Sequence, residues 1–97
     1  MRYTFEWDPR KAKENQRKHK VSFERAAEVL RDPLALSIFD EEHSEQEERW
    51  VTMGKDSHGS LLVLIHTFLE VTVEECRIRI ISARNARKKE SRQYEEI

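Results

Sequence analysis

The chain has 97 residues, an ordinary size for one domain, and a domain this small buries only a modest share of its surface. Hydrophobic residues make up 37% and charged residues 38%, but 18 Lys and Arg nearly balance 19 Asp and Glu, which excludes the one-signed composition of a disordered tail. The longest apolar run, Leu61 to Ile65, is too short to cross a bilayer, and Met1 begins no leader-like pattern. Cys76 is the single cysteine, which excludes an internal disulfide. We expect one compact domain over residues 1–97, in the cytoplasm.

Charge is segregated along the chain. The segment 77–92 holds seven Lys or Arg against Glu90, and the segment 10–20 holds six against Glu14. The segment 40–48 holds six acidic residues and no Lys or Arg. Clustered Lys and Arg release counterions when they bind phosphates, so the two basic segments are candidate nucleic-acid contacts. Solvated helix faces explain the same runs equally well.

A short strand and a polar helix are predicted at the start of the chain. Tyr3 to Trp7 alternates aromatic and polar residues, which is the period of a half-buried strand. Asp8 followed by Pro9 is typical of a helix beginning, so a helix is predicted from about Pro9 to His19. The residues of its inward stripe are Ala12, Asn15 or Gln16, and His19. This stripe carries hydrogen-bonding groups where a purely structural helix carries leucines, which points to a function.

A second helix and four strands are predicted next. The helix begins after Ser22 and ends at Asp32-Pro33, and its apolar residues recur at core-facing spacing. The strands are Ala35 to Phe39, Arg49 to Gly54, Leu61 to Phe68, and Cys76 to Ser82. The segment 55–59 supplies a turn, so the second and third of these strands form an antiparallel hairpin. The valines of 70–75 fit either an extension of a flanking strand or a hairpin end.

The end of the chain combines a basic strand with a last helix. Strict alternation places Arg77 and Arg79 on one strand face. Ser82 is expected to cap the helix, which puts Arg84 in its first turn, where free backbone N–H groups favour an anion. The order β-α-α-β-β-β-β-α predicts an α+β domain, an antiparallel sheet with two N-terminal helices and one C-terminal helix packed on one face.

Short motifs along nearly the whole chain indicate a family. They are Phe5-Glu6-Trp7-Asp8-Pro9, Lys13, Asn15, Lys18-His19, Val21-Ser22-Phe23, Ala26, Glu48-Arg49, Arg79-Ile80-Ile81-Ser82-Ala83-Arg84, Ala86 and Glu90. With these the chain resembles the BrnT family of toxins. The resemblance implies a fold akin to RelE-type ribonucleases, toxicity through RNA cleavage, and neutralisation by a BrnA-like ribbon-helix-helix antitoxin that also binds the operon's DNA. The sequence departs from the family after Thr67, where family members often carry an arginine and this chain has Phe68-Leu69-Glu70.

Cleavage of RNA without a metal or cofactor sets the chemical requirements. The 2′-hydroxyl attacks the adjacent phosphorus, which needs a base, an acid for the leaving oxygen, and fixed positive charge on the phosphoryl oxygens. Arginine suits the last task because its planar donors bind phosphate bidentately. Arg79 and Arg84 are therefore the predicted phosphate binders, with Arg49 assisting. His19 or its neighbour Lys18 is predicted to transfer protons, because histidine is the residue type most often used as a general acid or base.

Other residues are predicted to contact the substrate, and several candidates have structural explanations. The predicted contacts are Lys13, Asn15, Arg77, Arg87 and Lys88. A strand arginine is often only ion-paired, and a histidine at a helix end often meets the last carbonyls. Glu48 is a candidate base or an ion-pair partner, and His66 is a lesser candidate than His19. Trp7 and Trp50 fit base stacking or core packing. The acidic segment 40–48 is interpreted as a hydrophilic connection, so no metal site is predicted.

The sequence thus predicts a metal-independent endoribonuclease toxin. The guanidinium groups of the last strand and helix should meet the end of the first helix in one electropositive pocket. The predicted partners are RNA, the antitoxin, operator DNA through the antitoxin alone, and a second copy of the chain as a homodimer within the complex, with no membrane. A non-catalytic partner of a DNA-binding repressor and a plain RNA-binding module remain open as alternatives.

Overall fold

The computed structural model describes residues 2–96, and these form three α-helices, two single-turn 3₁₀ helices (Val29–Arg31 and Glu41–His43) and six strands. The α-helices are α1 (Pro9–His19), α2 (Phe23–Glu28) and α3 (Lys88–Glu95). The strands are β1 (Arg2–Glu6), β2 (Leu36–Phe39), β3 (Arg49–Lys55), β4 (Leu61–Thr67), β5 (Leu69–Glu70) and β6 (Glu75–Asn85). The predicted α+β class is confirmed. The valines of 70–75 lie at the end of a hairpin formed by β5 and β6, which settles their ambiguous pattern.

The helix starts follow from capping. The carboxylate of Asp8 accepts a hydrogen bond from the backbone N–H of Arg10 at 2.8 Å, directly before Pro9. The hydroxyl of Ser22 accepts from the backbone N–H of Arg25 at 3.2 Å and caps α2. Each cap satisfies a backbone donor that a helix start leaves free. Both helix starts therefore agree with the prediction.

The described strands form one sheet in the order β1-β6-β4-β3-β2, and β5 pairs with β6. Neighbouring strands are antiparallel except β1, which lies parallel to β6. The predicted β3–β4 hairpin is confirmed, since Lys55 pairs with Leu61 across it. The parallel pair joins a strand from the beginning of the chain to one from its end. The expectation that consecutive strands pair antiparallel therefore does not apply to it.

Helices cover both faces of the sheet. On one face, Leu62 and Leu64 of β4 and Ile80 of β6 pack in a buried cluster with α2, and we call this the α2 face. On the other face, Val63 and Met53 pack with Tyr94 of α3, and we call this the α3 face. The prediction of helices on one face was wrong. Strand β4 is apolar on both sides, and both sides need cover from water.

Strand β6 is longer than predicted because it pairs with β4 as far as Asn85. It continues to Asn85, so Ser82 lies in the strand and the prediction that it caps the last helix was wrong. Beyond β1, the side chain of Asn15 accepts a hydrogen bond from the backbone N–H of Ala83 at 3.0 Å and donates one to its carbonyl at 2.8 Å. Asn15 also donates to the carbonyl of Val21 at 2.9 Å. The amide thus replaces a neighbouring strand, and α3 begins only at Lys88.

Replacement of Asn15 by alanine should lower the free energy of unfolding by about 2–4 kcal/mol, because buried backbone groups of Ala83 and Val21 lose their partners. Urea denaturation followed by circular dichroism measures the change. The matched control is Gln16→Ala, an exposed neighbour in α1, which should stay within about 0.5 kcal/mol of wild type. Equal midpoints for Asn15→Ala and wild type would contradict this account of β6.

Candidate functional site

Three arginines of the predicted site lie on the α3 face. Arg84 pairs in register with Val63, whose side chain packs with Tyr94 on that face. Arg79 lies between two buried isoleucines of β6 and therefore points away from the α2 face. Arg49 begins β3 and alternates in step with Met53, so it shares the α3 face. The correction concerns Arg84, which was predicted in a helix and lies in a strand.

Glu47 joins two of these arginines. Its Oε1 accepts a hydrogen bond from Nη2 of Arg79 and lies 3.6 Å from Nη2 of Arg49. The hydrogen bond from Arg79 outweighs the opposing effect of burial and holds the pKa of Glu47 below its usual value. The carboxylate therefore stays ionised at neutral pH, and its side chain is 36% exposed. An anion thus lies between two guanidinium groups in a position that solvent can reach.

Arg84 is held by a second carboxylate. Its Nη1 and Nη2 donate to the two oxygens of Glu90 at 2.8 and 2.9 Å. Glu90 also accepts from the backbone N–H of Arg87 at 2.8 Å, at the start of α3. The bidentate bond from Arg84 lowers the pKa of Glu90 to about 2. This ion pair ties α3 to β6, since Glu90 lies in the first turn of the helix.

A cavity of about 680 Å³ lies beside Arg79. Its lining residues are Glu6, Glu47, Glu48, Thr67, Phe68, Leu69, Glu70, Arg77 and Arg79. Two arginines therefore face four glutamates there, and Arg84, Lys18 and His19 are not part of the lining. The expected single electropositive pocket is not formed. A bulge in β6 between Ile80 and Ser82 shifts the alternation, so that Arg79 and Arg84 both lie on the α3 face. Helix α1 instead lies at the edge of the sheet, with Ala12 against the α2-face cluster.

The remaining predicted residues divide into exposed and buried groups. Lys13, Lys18 and His19 are exposed on α1, and their side chains make no hydrogen bond or ion pair within residues 2–96. Arg87 and Lys88 are exposed at the beginning of α3. Asn15 was predicted to contact substrate, but it is 6% exposed and its amide is occupied by the backbone. We therefore leave Asn15 out of the site.

Sequence reasoning missed Glu47. The acidic segment 40–48 offers six carboxylates, and Glu48 seemed the natural candidate because it adjoins Arg49. Two hydrogen bonds close the loop that carries Glu47. The backbone N–H of Asp40 donates to the carbonyl of Arg49 at 2.8 Å, and the hydroxyl of Ser44 accepts from the backbone N–H of Arg49 at 3.0 Å. These bonds fix the path by which Glu47 reaches the arginines. No local signal distinguishes Glu47 from its acidic neighbours.

Two general features concern the part of the chain that the structure describes. Within residues 2–96, no group of three or more His, Cys, Asp or Glu side chains is placed to hold a metal ion. None of the helices in this range has the length and apolar character needed to span a bilayer.

The fold is shared with a small ribonuclease toxin of known structure. The structure matches the crystal structure of the Brucella abortus ribonuclease toxin BrnT with a TM-score of 0.62, over 91% of this chain and 100% of that chain. Sequence identity to it is 18%, so this likeness concerns the fold. A search of curated proteins gives no match.

The family follows from the sequence itself. The model of a family described as "Ribonuclease toxin, BrnT, of type II toxin-antitoxin system" matches residues 7–90. The chain therefore belongs to the BrnT family of ribonuclease toxins. The resemblance carried by the opening and closing motifs is confirmed.

The ion pair between Arg84 and Glu90 predicts a pH-dependent stability. The pKa of Glu90 is lowered from 4.5 to about 2. The ion pair's contribution to the free energy of unfolding is therefore complete above pH 4.5 and is lost as the pH falls from there toward 2. The stability difference between wild type and Glu90→Gln should therefore shrink between about pH 5 and about pH 2.5 in denaturant titrations. Glu95→Gln, an exposed change in α3, is the control and should show no such trend. A difference that stays constant with pH would rule out this role for Glu90.

Proposed function

We propose that the protein is a metal-independent endoribonuclease and the toxin of its pair. The proposal takes the 2′-hydroxyl of RNA as the nucleophile, with a cyclic phosphate and a free 5′-hydroxyl as products. One observation supports it most: Glu47 lies between Arg79 and Arg49 where the α3 face is open to solvent. Carboxylate and phosphate accept the same pattern of guanidinium hydrogen bonds, so an RNA phosphate fits where Glu47 lies.

The roles of the arginines follow from this exchange. Arg79 and Arg49 hold the non-bridging oxygens and stabilise the charge that develops on them during attack. Arg84 lies on the same face but is tied to Glu90, so it assists through a second phosphate only after that ion pair opens. Arg77 lines the cavity beside Arg79 and is exposed, which suits it to a flanking phosphate. Arg87, Lys88 and Lys13 are exposed and suit longer-range attraction of RNA.

Proton transfer is assigned to the end of α1 and to the cavity beside Arg79. His19 and Lys18 are exposed there and have no partner within residues 2–96 that would hold them away from an incoming RNA. Of the two, His19 is the proposed general acid that protonates the leaving 5′-oxygen, because imidazole is a side chain suited to proton exchange near neutral pH. This role requires that His19 and the phosphate held by Arg79 and Arg49 come within hydrogen-bond reach of each other when RNA binds, because His19 is not part of the cavity beside Arg79. Glu48, which lines the cavity beside Arg79, is the proposed base that takes the proton of the 2′-hydroxyl.

The partner proposals rest on family membership. We propose that a BrnA-like ribbon-helix-helix antitoxin neutralises the toxin in the cytoplasm. Of the two proteins, only the antitoxin binds operator DNA, and the complex contains two copies of the toxin. Exposed apolar side chains are available for such contacts, with Ile38 at 70% and Val73 at 90% exposure. The light packing of α3, in which Tyr94 is the buried residue, suits an element that a partner completes.

The glutamates of the cavity favour a second candidate function. Four carboxylates beside two arginines repel an RNA backbone and attract a basic polypeptide. A non-catalytic partner of a DNA-binding repressor would use the same surface to hold that protein. Cleavage of RNA by the purified chain distinguishes the two functions.

Arg79→Ala should reduce cleavage of single-stranded RNA about 100-fold or more, since it removes the principal phosphate donor, and wild type should cleave fully in excess EDTA. Gel analysis of an end-labelled RNA measures both. The control is Arg31→Ala, an exposed arginine in the turn after α2 that lies outside the proposed site. If wild type cleaves no RNA, the protein is not a ribonuclease. If wild type loses its activity in EDTA, the cleavage is not metal-independent.

His19→Ala should lower kcat about 100-fold with little change in KM, because a general acid acts in the transition state and not in binding. The pH–rate profile should also lose one limb. Lys20→Ala, an exposed change in the next residue, serves as the control. An unchanged profile in His19→Ala would transfer the role of acid to another group.

A further inference from the structure

A second cavity lies on the other side of the sheet. It has a volume of about 280 Å³, and three aromatic rings line it, those of Tyr3, Trp50 and Phe68. Ser37 and His66 contribute its polar groups. Because Trp50 pairs in register with His66, two residues after Leu64, this cavity opens on the α2 face. We call it the aromatic pocket.

Phe68 connects the two cavities. It directly follows β4, and its side chain lines both the aromatic pocket and the cavity that contains Arg77 and Arg79. A ligand at the arginines and a ligand in the aromatic pocket therefore both border Phe68. A single strand of RNA carries two groups of the required kinds, since each phosphate is followed by a base that can turn away from its neighbours.

The donor and the acceptor can be assigned in each hydrogen bond that connects the polar groups of the aromatic pocket. Nδ1 of His66 lies 2.8 Å from the carbonyl of Thr67, which only accepts, so Nδ1 donates. Burial lowers the pKa of His66, so the ring is neutral and Nε2 accepts from the hydroxyl of Thr52 at 2.7 Å. The oxygen of Thr52 then accepts from Ser37 at 2.7 Å. The hydroxyl of Ser37 has thus used its proton and presents lone pairs to a ligand donor.

We propose that the aromatic pocket binds one unstacked nucleobase of the RNA whose phosphate lies at Arg79. The proposal rests on the proposed function and adds a place where bases are selected. Aromatic rings stack on any base face, and Ser37 accepts from an N–H group on the base edge. The volume of about 280 Å³ lies just below the range of ligand sites, roughly 300–1,000 Å³, so the pocket takes one ring system and no longer stretch of chain.

Binding of 2′-O-methyl RNA, which lacks the nucleophile, tests the base pocket. Fluorescence anisotropy compares a fully based oligonucleotide with a set in which each position in turn is abasic. Wild type should bind about tenfold more weakly when one particular position is abasic, the size expected for one stacked base. Phe68→Ala should bind the full oligonucleotide about tenfold more weakly and should lose its sensitivity to that position.

Val71→Ala is the matched control. Val71 is 44% exposed and lines neither cavity, whereas Phe68 is 38% exposed, so both variants should fold. Tyr3→Ala, at another ring of the aromatic pocket that is 40% exposed, is a second test variant with the same expected loss. Unchanged thermal unfolding shows that a loss of binding is local.

The outcomes separate this proposal from the ribonuclease proposal. Binding with no position sensitive to base removal, or the same sensitivity in Phe68→Ala as in wild type, overturns the base pocket even if unmodified RNA is cleaved. Loss of antitoxin binding by Phe68→Ala without any abasic effect also overturns it and assigns the pocket to a protein side chain. An abasic effect that depends on Phe68 in a protein that cleaves no RNA supports the pocket and refutes the enzyme.

Discussion

The side-chain amide of Asn15 acts as a short strand beside the part of β6 that β1 does not reach. It satisfies the N–H and carbonyl of Ala83 and the carbonyl of Val21 together. Strand β6 continues to Asn85 along β4, and Asn15 supplies the partners that the buried backbone groups of Ala83 need on the edge where β1 has ended. The same bonds hold α1 at the sheet edge, which determines where the exposed groups His19 and Lys18 lie.

The extended strand also determines the electrostatics of the proposed site. Because Arg84 lies on β6, it shares the α3 face with Arg79 and Arg49. Each of these three arginines has a carboxylate beside it. A chain of net charge −1 can therefore carry a phosphate site whose charge is hidden by internal partners. In the proposed function, RNA competes with Glu47 for the arginines, and this competition lowers affinity for polyanions that lack the fit of the proper substrate.

Two faces of one sheet meet at Phe68. The arginine cavity lies on the α3 face and the aromatic pocket on the α2 face, and Phe68 lines both. The sequence departs from the expected family pattern at this point, with an aromatic residue after Thr67 where an arginine was expected. A cation there would extend the phosphate site, whereas the ring of Phe68 instead adds a surface for stacking.

The sequence by itself determined the local elements and the family. Asp8 and Ser22 cap their helices, the segment 55–59 turns the hairpin, and alternation in β6 places two arginines on one face, because these features depend on neighbouring residues alone. Tertiary structure alone decided that β1 pairs with the last strand, that α3 covers the second face, and that Glu47 reaches the arginines. Each of these outcomes depends on a group far away in the sequence that bonds a free backbone group, covers an apolar face or pairs with a charge. The spacing of residues along the chain does not indicate which distant group this is.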